Sequence, residues 1–162
     1  MKISAVIPLY NKAAHIKRAI SSILNQKYQV DEIIIVDDGS TDDGCRVIEE
    51  NFSDSRIKLI TQENRGQSAA RNRGIQVASN ELIAFLDADD EWLPDYLTII
   101  RRLVNNFPDC GAYATGFCTI HLDGKKTCRA IPSCPPEPWI GIIPNFFPAD
   151  LTAALATFRA IG

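Results

Sequence analysis

Paired cysteines are missing from this sequence. Its five cysteines, Cys45, Cys110, Cys118, Cys128 and Cys134, are odd in number and include no C-x-x-C spacing, which argues against a disulfide framework and a zinc site and for small core residues. Histidine is scarce as well. His15 and His121 stand far apart in the chain, as surface or packing residues rather than ligands or bases. No apolar run reaches the roughly 18 residues of a membrane span, and the start, with one lysine before a short apolar stretch, is no signal peptide. The expected location is therefore the cytoplasm, with contact at the inner membrane face left open. Basic excess is absent too: 17 Lys and Arg stand against 20 Asp and Glu, a net charge of −3, so nucleic acid is not expected as a partner. Finally, the turn Pro8-Leu9-Tyr10-Asn11-Lys12 has no glycine. A pyrophosphate cannot lie on it as on a P-loop or dinucleotide fingerprint.

What the sequence does have is alternation. Over 162 residues, 46% hydrophobic, there is material for one sizeable core but not for two full domains. Short Ile/Val-bearing runs at Lys2 to Pro8, Glu32 to Val36, Ile57 to Thr61 and Leu82 to Asp87 read as strands buried on both faces. Between them lie helical spacings: Ile16, Ala19, Ile20, Ile23 and Leu24, with Asn11 as cap; then Val47, Ile48 and Phe52, capped by Ser40 or Thr41. Leu93 to Phe107 reads as the helix after the fourth strand. Such β-α-β succession predicts an α/β fold, a mostly parallel Rossmann-like sheet flanked by helices. A β-hairpin follows, Gly111 to His121 with Lys125 to Ile131, turning at Asp123-Gly124. Residues 1–131 thus form the α/β unit. Residues 132–162 are a proline-rich segment, with aromatic Trp139 to Phe147 expected to cover the sheet edge, a lipid- or partner-facing role being the alternative, and a short helix near Ala149 to Ala160.

The fourth run ends in Asp87, Asp89 and Asp90, followed by Glu91 and Trp92. Acids this close repel unless a cation sits among them or one is protonated, and their oxygens suit a hard ion such as Mg²⁺ or Mn²⁺. Capping of the next helix, with Pro94 inside its first turn, is the competing explanation. It leaves Asp87, on the strand, unexplained. An EF-hand loop is excluded because Trp92 stands where the turn needs glycine; an aspartyl nucleophile at Asp87 is a further alternative. Glu63 to Gly74 carries Arg65, Arg71 and Arg73, whose planar forks suit phosphate oxygens, and Gly74 in mid-helix hints at close packing. Tyr10, Asp37, Asp38, Asp87, Asp89 and this arginine segment all fall at the carboxyl ends of strands, where open α/β sheets bind ligands. Carboxylates repel a phosphate, so a divalent ion is expected to bridge them to a diphosphate ligand.

VIPLYNK (6–12), VDDGSTD (36–42), NRGQSAARNRGI (64–75) and FLDADD (85–90) resemble, in the right order, the motifs of family 2 glycosyltransferases of the GT-A fold. The resemblance covers the first two thirds of the chain. It implies a nucleotide diphosphate sugar donor, UDP-linked in most cases, and Mn²⁺ or Mg²⁺ as cofactor. Pro8, Tyr10, Asp37 and Asp38 would line the base pocket, Arg71 would lie near the nucleotide, Asp87 would meet ribose or support the metal, and Asp89 would be its principal ligand. Transfer would proceed with inversion to the hydroxyl of a saccharide or lipid-linked acceptor. The general base this requires is not identified: after Asp123 the only acids are Glu137 and Asp150, neither in a matching context. A truncated chain that binds the donor without transferring it is thus the alternative.

Overall fold

The computed structural model describes residues 1–121, 123–129 and 156–159. Four parallel strands carry the fold: β1 (Ile3–Leu9), β2 (Glu32–Asp37), β3 (Ile57–Thr61) and β4 (Leu82–Phe85). They are joined in turn by α1 (Ala13–Leu24), α2 (Gly44–Asn51) and α3 (Gln67–Val77), and α4 (Tyr96–Asn106) follows β4. Pairing is parallel between β1 and β2, β2 and β3, and β1 and β4. The β-α-β reading is borne out.

Every residue of β1 and β2 is buried, because helices cover both faces of the sheet. Side chains alternate across a strand, and the two cores divide by this parity. Ile3, Ala5, Ile7 and Leu9 join Ile33, Ile35, Leu82 and Ala84 under Ile16, Ile20, Ile48, Leu97 and Ile100 of α1, α2 and α4. Val6, Ile34, Val36 and Ile83 face α3 through Ala70. On that side α3 lies very close: a Cβ at Gly74 would stand 2.3 Å from Val6 Cγ1. The close packing hinted at by this glycine is present.

With β5 (Ala112–Ala114) and β8 (Ala156–Arg159), the strand order is β3-β2-β1-β4-β8-β5, so the order in which strands are added reverses between β1 and β4. Here the ladder also opens. The last β1–β4 pair is Val6 with Phe85, and Val6 O still accepts Leu86 N at 3.1 Å. By alternation the Pro8 nitrogen points the same way, past the last pair, where no donor is required.

Three expectations need correction. The first arm of the predicted hairpin divides: β5 (Ala112–Ala114) enters the main sheet, while β6 (Phe117–Ile120) pairs with β7 (Lys126–Arg129) around Gly124, φ +79°. The helix expected near Ala149 to Ala160 is contradicted at Ala156–Arg159, which forms β8, antiparallel to β4 and β5. Ladder pairing on two sides outweighs local helical spacing. Cys118 is disulfide-bonded, so cysteine count and spacing misjudged it; Cys45 and Cys110 are free. The 131/132 boundary, the proline-rich segment, Trp139 to Phe147, Glu137 and Asp150 lie outside the described residues.

At the amino ends of the strands, buried Glu32 ties the sheet to its surroundings. Its carboxylate accepts Ser4 Oγ and Ser79 N, both at 2.6 Å, and pairs with Lys58 Nζ at 2.6 Å. Burial opposes its charged form, but Lys58, Ser4 and Ser79 together outweigh that and hold the carboxyl below its usual value.

Candidate site at the carboxyl ends of the strands

The turns after β1 and β2 are stapled to each other. Asn11 takes the left-handed φ of +50°; its N–H donates to Ser40 Oγ at 3.0 Å and its Oδ1 accepts Thr41 N at 2.8 Å. Asp42 Oδ2 accepts Ala13 N at 2.8 Å. Neither α1 nor α2 has a side-chain cap from its own N-cap residue, so Asn11, Ser40 and Thr41 tie loops together instead of capping the helices they precede. These ties hold Tyr10 at the strand exit with 47% of its surface exposed.

Asp38 is almost wholly buried. It accepts Gln62 Nε2 at 2.7 Å and Arg65 N at 2.9 Å on Oδ1, and Gly66 N at 2.7 Å on Oδ2. Burial pushes its carboxyl upward, yet these donors prevail and leave it below the usual carboxylate range. Asp38 thereby fixes the loop that launches α3. Asp37 accepts Ser40 N at 3.2 Å and lies against the Cys45 thiol, which burial and then the Asp37 charge push up to about 11.

From α3, Arg71 reaches the end of β4. Its Nη2 donates to Asp87 Oδ1 at 2.6 Å, where Gln67 Nε2 also donates at 3.1 Å. The guanidinium carbon stands 6.0 Å from the Phe85 ring centre. Arg71 Nε is buried without a partner, an unsatisfied donor at the rim of the crevice. Asp89, two residues on, pairs with Lys12 Nζ at 2.7 Å, and its carbonyl accepts Arg18 Nη2 at 2.5 Å. The Lys12 hydrogen bond and charge hold the Asp89 carboxyl below its usual value. Asp90, open to solvent on one side but packed on the other, is pushed up by that burial and then by the charges of Asp89 and Asp87.

Helix capping does not explain these acids. Helix α4 begins at Tyr96, five positions beyond Glu91, with no acid in its first turn. Trp92 is core: it stacks on Tyr96 at 4.6 Å between ring centres and is 3% exposed. The acids occupy a loop instead, between a strand end and a buried aromatic anchor. Sequence reasoning asked for a cation among them and set the arginine segment opposite as their counterpart, but it missed Lys12 and did not foresee that Arg71 pairs with Asp87 directly. The signal was there, in Lys12 at the exit of the neighbouring strand.

Pro8, Tyr10, Asp37, Asp38, Arg71, Asp87 and Asp89 therefore lie along one edge of the sheet. Arg71 bonds Asp87 directly; Asp38 reaches Arg71 through the 62–66 loop, and Asp89 reaches β1 through Lys12. Among the described residues no three His, Cys, Asp or Glu converge as a metal cage. A hard divalent ion does not need one. Mg²⁺-like ions take one or two carboxylates and complete their shell with water and phosphate oxygens. Asp87 fits that pattern, since both its bonds fall on Oδ1, leaving Oδ2 for such a partner, and Asp89 adds a second carboxylate.

Residues 4–146 match Glycosyl transferase family 2. The chain is 47% identical over 109 residues to the uncharacterized glycosyltransferase alr2836 of Nostoc sp., covering 66% of this chain and 33% of that protein. It is 37% identical over 136 residues to the uncharacterized glycosyltransferase YibD of Escherichia coli, covering 82% and 38%. Among solved structures, the mannosyltransferase PcManGT of Pyrobaculum calidifontis, in complex with GDP-Man and Mn²⁺, superposes with a TM-score of 0.65 at 28% identity, over 70% of this chain and 35% of that one. TarS of S. aureus in complex with UDP gives 0.59 at 26%, over 65% and 32%. The chain thus spans about a third of the length of these proteins. With four motifs on one edge of a wound sheet and a match across most of its length, the chain belongs to glycosyl transferase family 2 and has its GT-A fold.

Proposed function

We propose that this chain is the donor-binding part of an inverting, divalent-metal-assisted glycosyltransferase that uses a nucleotide diphosphate sugar of the UDP-sugar class. The observation that carries the reading is the paired rim at the carboxyl ends of β1 and β4: Arg71 on Asp87 at 2.6 Å and Lys12 on Asp89 at 2.7 Å. Carboxylates alone repel a diphosphate. Interleaved with cations at the switch point of the sheet, they become a place where phosphate oxygens are received. PcManGT in complex with GDP-Man and Mn²⁺, and TarS in complex with UDP, support a nucleotide sugar and a divalent ion as ligands of this fold.

In this reading Asp89 and Asp87 would hold the ion, which when bound would supply Lewis-acid stabilisation to a departing diphosphate. Arg71, its side chain 32% exposed beside Asp87, lies near the nucleotide. Tyr10, exposed beside Pro8 at the end of β1, stacks on the base. Asp37 stands nearer the base edge, whereas Asp38 acts by fixing the 62–66 loop from which α3 and Arg71 start. The acceptor is a saccharide or lipid-linked hydroxyl met on the inner face of the membrane, and no helix among the described residues is long and apolar enough to cross it. The general base belongs to the acceptor side and is not assigned.

Calorimetric titration of the chain with UDP tests this. Affinity should rise sharply with Mn²⁺ or Mg²⁺ and fall to the chelator level in Asp89→Asn. Equal binding with chelator present overturns the metal bridge. A second reading is donor binding without transfer, since no general base is assigned among the described residues. Sugar-transfer assays on this chain and on one carrying the relatives' remaining length separate the two.

A further inference from the structure

The acid cluster has a counter-ion of its own. Lys12 Nζ stands 2.7 Å from Asp89 Oδ2, at the mouth of the opening between β1 and β4, with Asp87 and Asp90 close enough to add to its field. The two partners differ in freedom. Asp89 is pinned, because its carbonyl is gripped by Arg18 of α1 and its loop is anchored by Trp92 N–H on Ser22 Oγ at 3.0 Å. The Lys12 backbone is pinned too, its carbonyl accepting His15 N at 2.9 Å and Ile16 N at 3.0 Å. Its ammonium is not: it rides on a four-carbon stem whose side chain is 42% exposed.

A divalent ion on Asp89 and the Lys12 ammonium compete for that carboxylate even on separate oxygens, since like charges a few ångströms apart repel and the ammonium, unlike the Arg71 guanidinium on Asp87, is free to swing away. A diphosphate brought by the same ion offers a displaced ammonium strong acceptors beside Asp87 and Asp90. We infer that Lys12 is an internal surrogate for the metal, neutralising Asp89 while the site is without ligand and passing to the donor's diphosphate when the ion takes the carboxylate. Lys12 is thus a positioning residue that couples metal entry to donor binding: the ion alone must compete with it, whereas ion and diphosphate together give it a new partner. The inference rests on the donor-binding reading above.

The coupling predicts opposite signs for one substitution. In Lys12→Met, Mn²⁺ alone, followed by its electron paramagnetic resonance signal, should bind more tightly than to the parent chain. UDP in the presence of saturating Mn²⁺ should bind more weakly. Each change should be roughly twofold to fivefold, the scale of an ion pair this exposed. Lys12→Arg keeps the charge and should hold Mn²⁺ alone at the parent affinity. Lys17→Met removes an equal charge from α1 whose ammonium bonds Asn51 at 2.6 Å instead, and should move neither constant. Lys12→Met binding Mn²⁺ alone no more tightly than the parent overturns the inference, as does unchanged UDP affinity. The donor-binding reading falls by a different result, parent affinity for UDP that is the same with Mn²⁺ and with chelator.

Discussion

Gly74→Ala sets two effects of known size against each other. Replacing a mid-helix glycine by alanine ordinarily stabilises by about 1 kcal/mol. Here the new Cβ would lie 2.3 Å from Val6 Cγ1, 3.2 Å from Cγ2 and 3.3 Å from Cβ. Val6 cannot yield easily: it is fully buried, paired on both sides in β1, and stiff at χ1 because it is β-branched. Overpacking of this kind costs roughly 1–3 kcal/mol, and a contact this short belongs at the upper end, so the net loss is about 1–2 kcal/mol. For a chain of this size that corresponds to ~2–4 °C in Tm per kcal/mol. Urea denaturation followed by circular dichroism reads it as a lower midpoint with an unchanged slope. The companion variant makes the reasoning strict. In a Val6→Ala background both Cγ atoms are gone, and Gly74→Ala should then become stabilising. A midpoint that rises for Gly74→Ala in the parent chain would refute the packing argument. Because α3 carries Arg71 and Gln67, the shift should also weaken UDP binding.

Asp38→Ala strands two backbone N–H groups and the Gln62 amide; a loss of roughly 2–4 kcal/mol in urea midpoint analysis is expected, at ~1–3 kcal/mol per buried unpaired group. Arg71→Lys keeps the charge but loses the fork, so UDP affinity should drop about tenfold while the far-ultraviolet spectrum stays unchanged; unchanged affinity would remove Arg71 from the site. Acid should destabilise the chain in a defined window. Glu32 and Asp38 are held below their ordinary values, and Arg56 beside Asp54 pulls that carboxyl to about 2. Groups depressed in the folded state contribute stability above their unfolded pKa, about 4, and lose it as pH falls through the folded values. Urea midpoints should therefore be flat from pH 7 to pH 5 and fall from about pH 4 toward pH 2, with Glu32→Gln removing part of the slope. A midpoint that holds constant down to pH 3 would contradict this.

The strand and helix succession could be read from the chain because each buried strand is a continuous apolar run and each helix shows its own spacing. The acids could be read as a site because Asp87 sits where capping cannot use it. Local capping was misread at Asn11, Ser40 and Thr41, since their partners lie about 30 positions away and become neighbours only when β1 and β2 pair. β8 was misread as helix for a similar reason: four residues gain two ladders only in the assembled sheet. Asp38 looked like a ligand contact by position, and its three donors, all from the loop after β3, show the loop-fixing bonds that the sequence does not display.

By itself the sequence determined the wound sheet, the edge on which charged residues gather and the family to which their order belongs, because periodicity and motif order are local properties of the chain. The tertiary structure decided who neutralises whom. Lys12 meets Asp89 and Arg71 meets Asp87 because β1 and β4 lie side by side while α3 packs against β1 through a glycine. Charge pairing depends on separations of a few ångströms, and only the folded chain sets those.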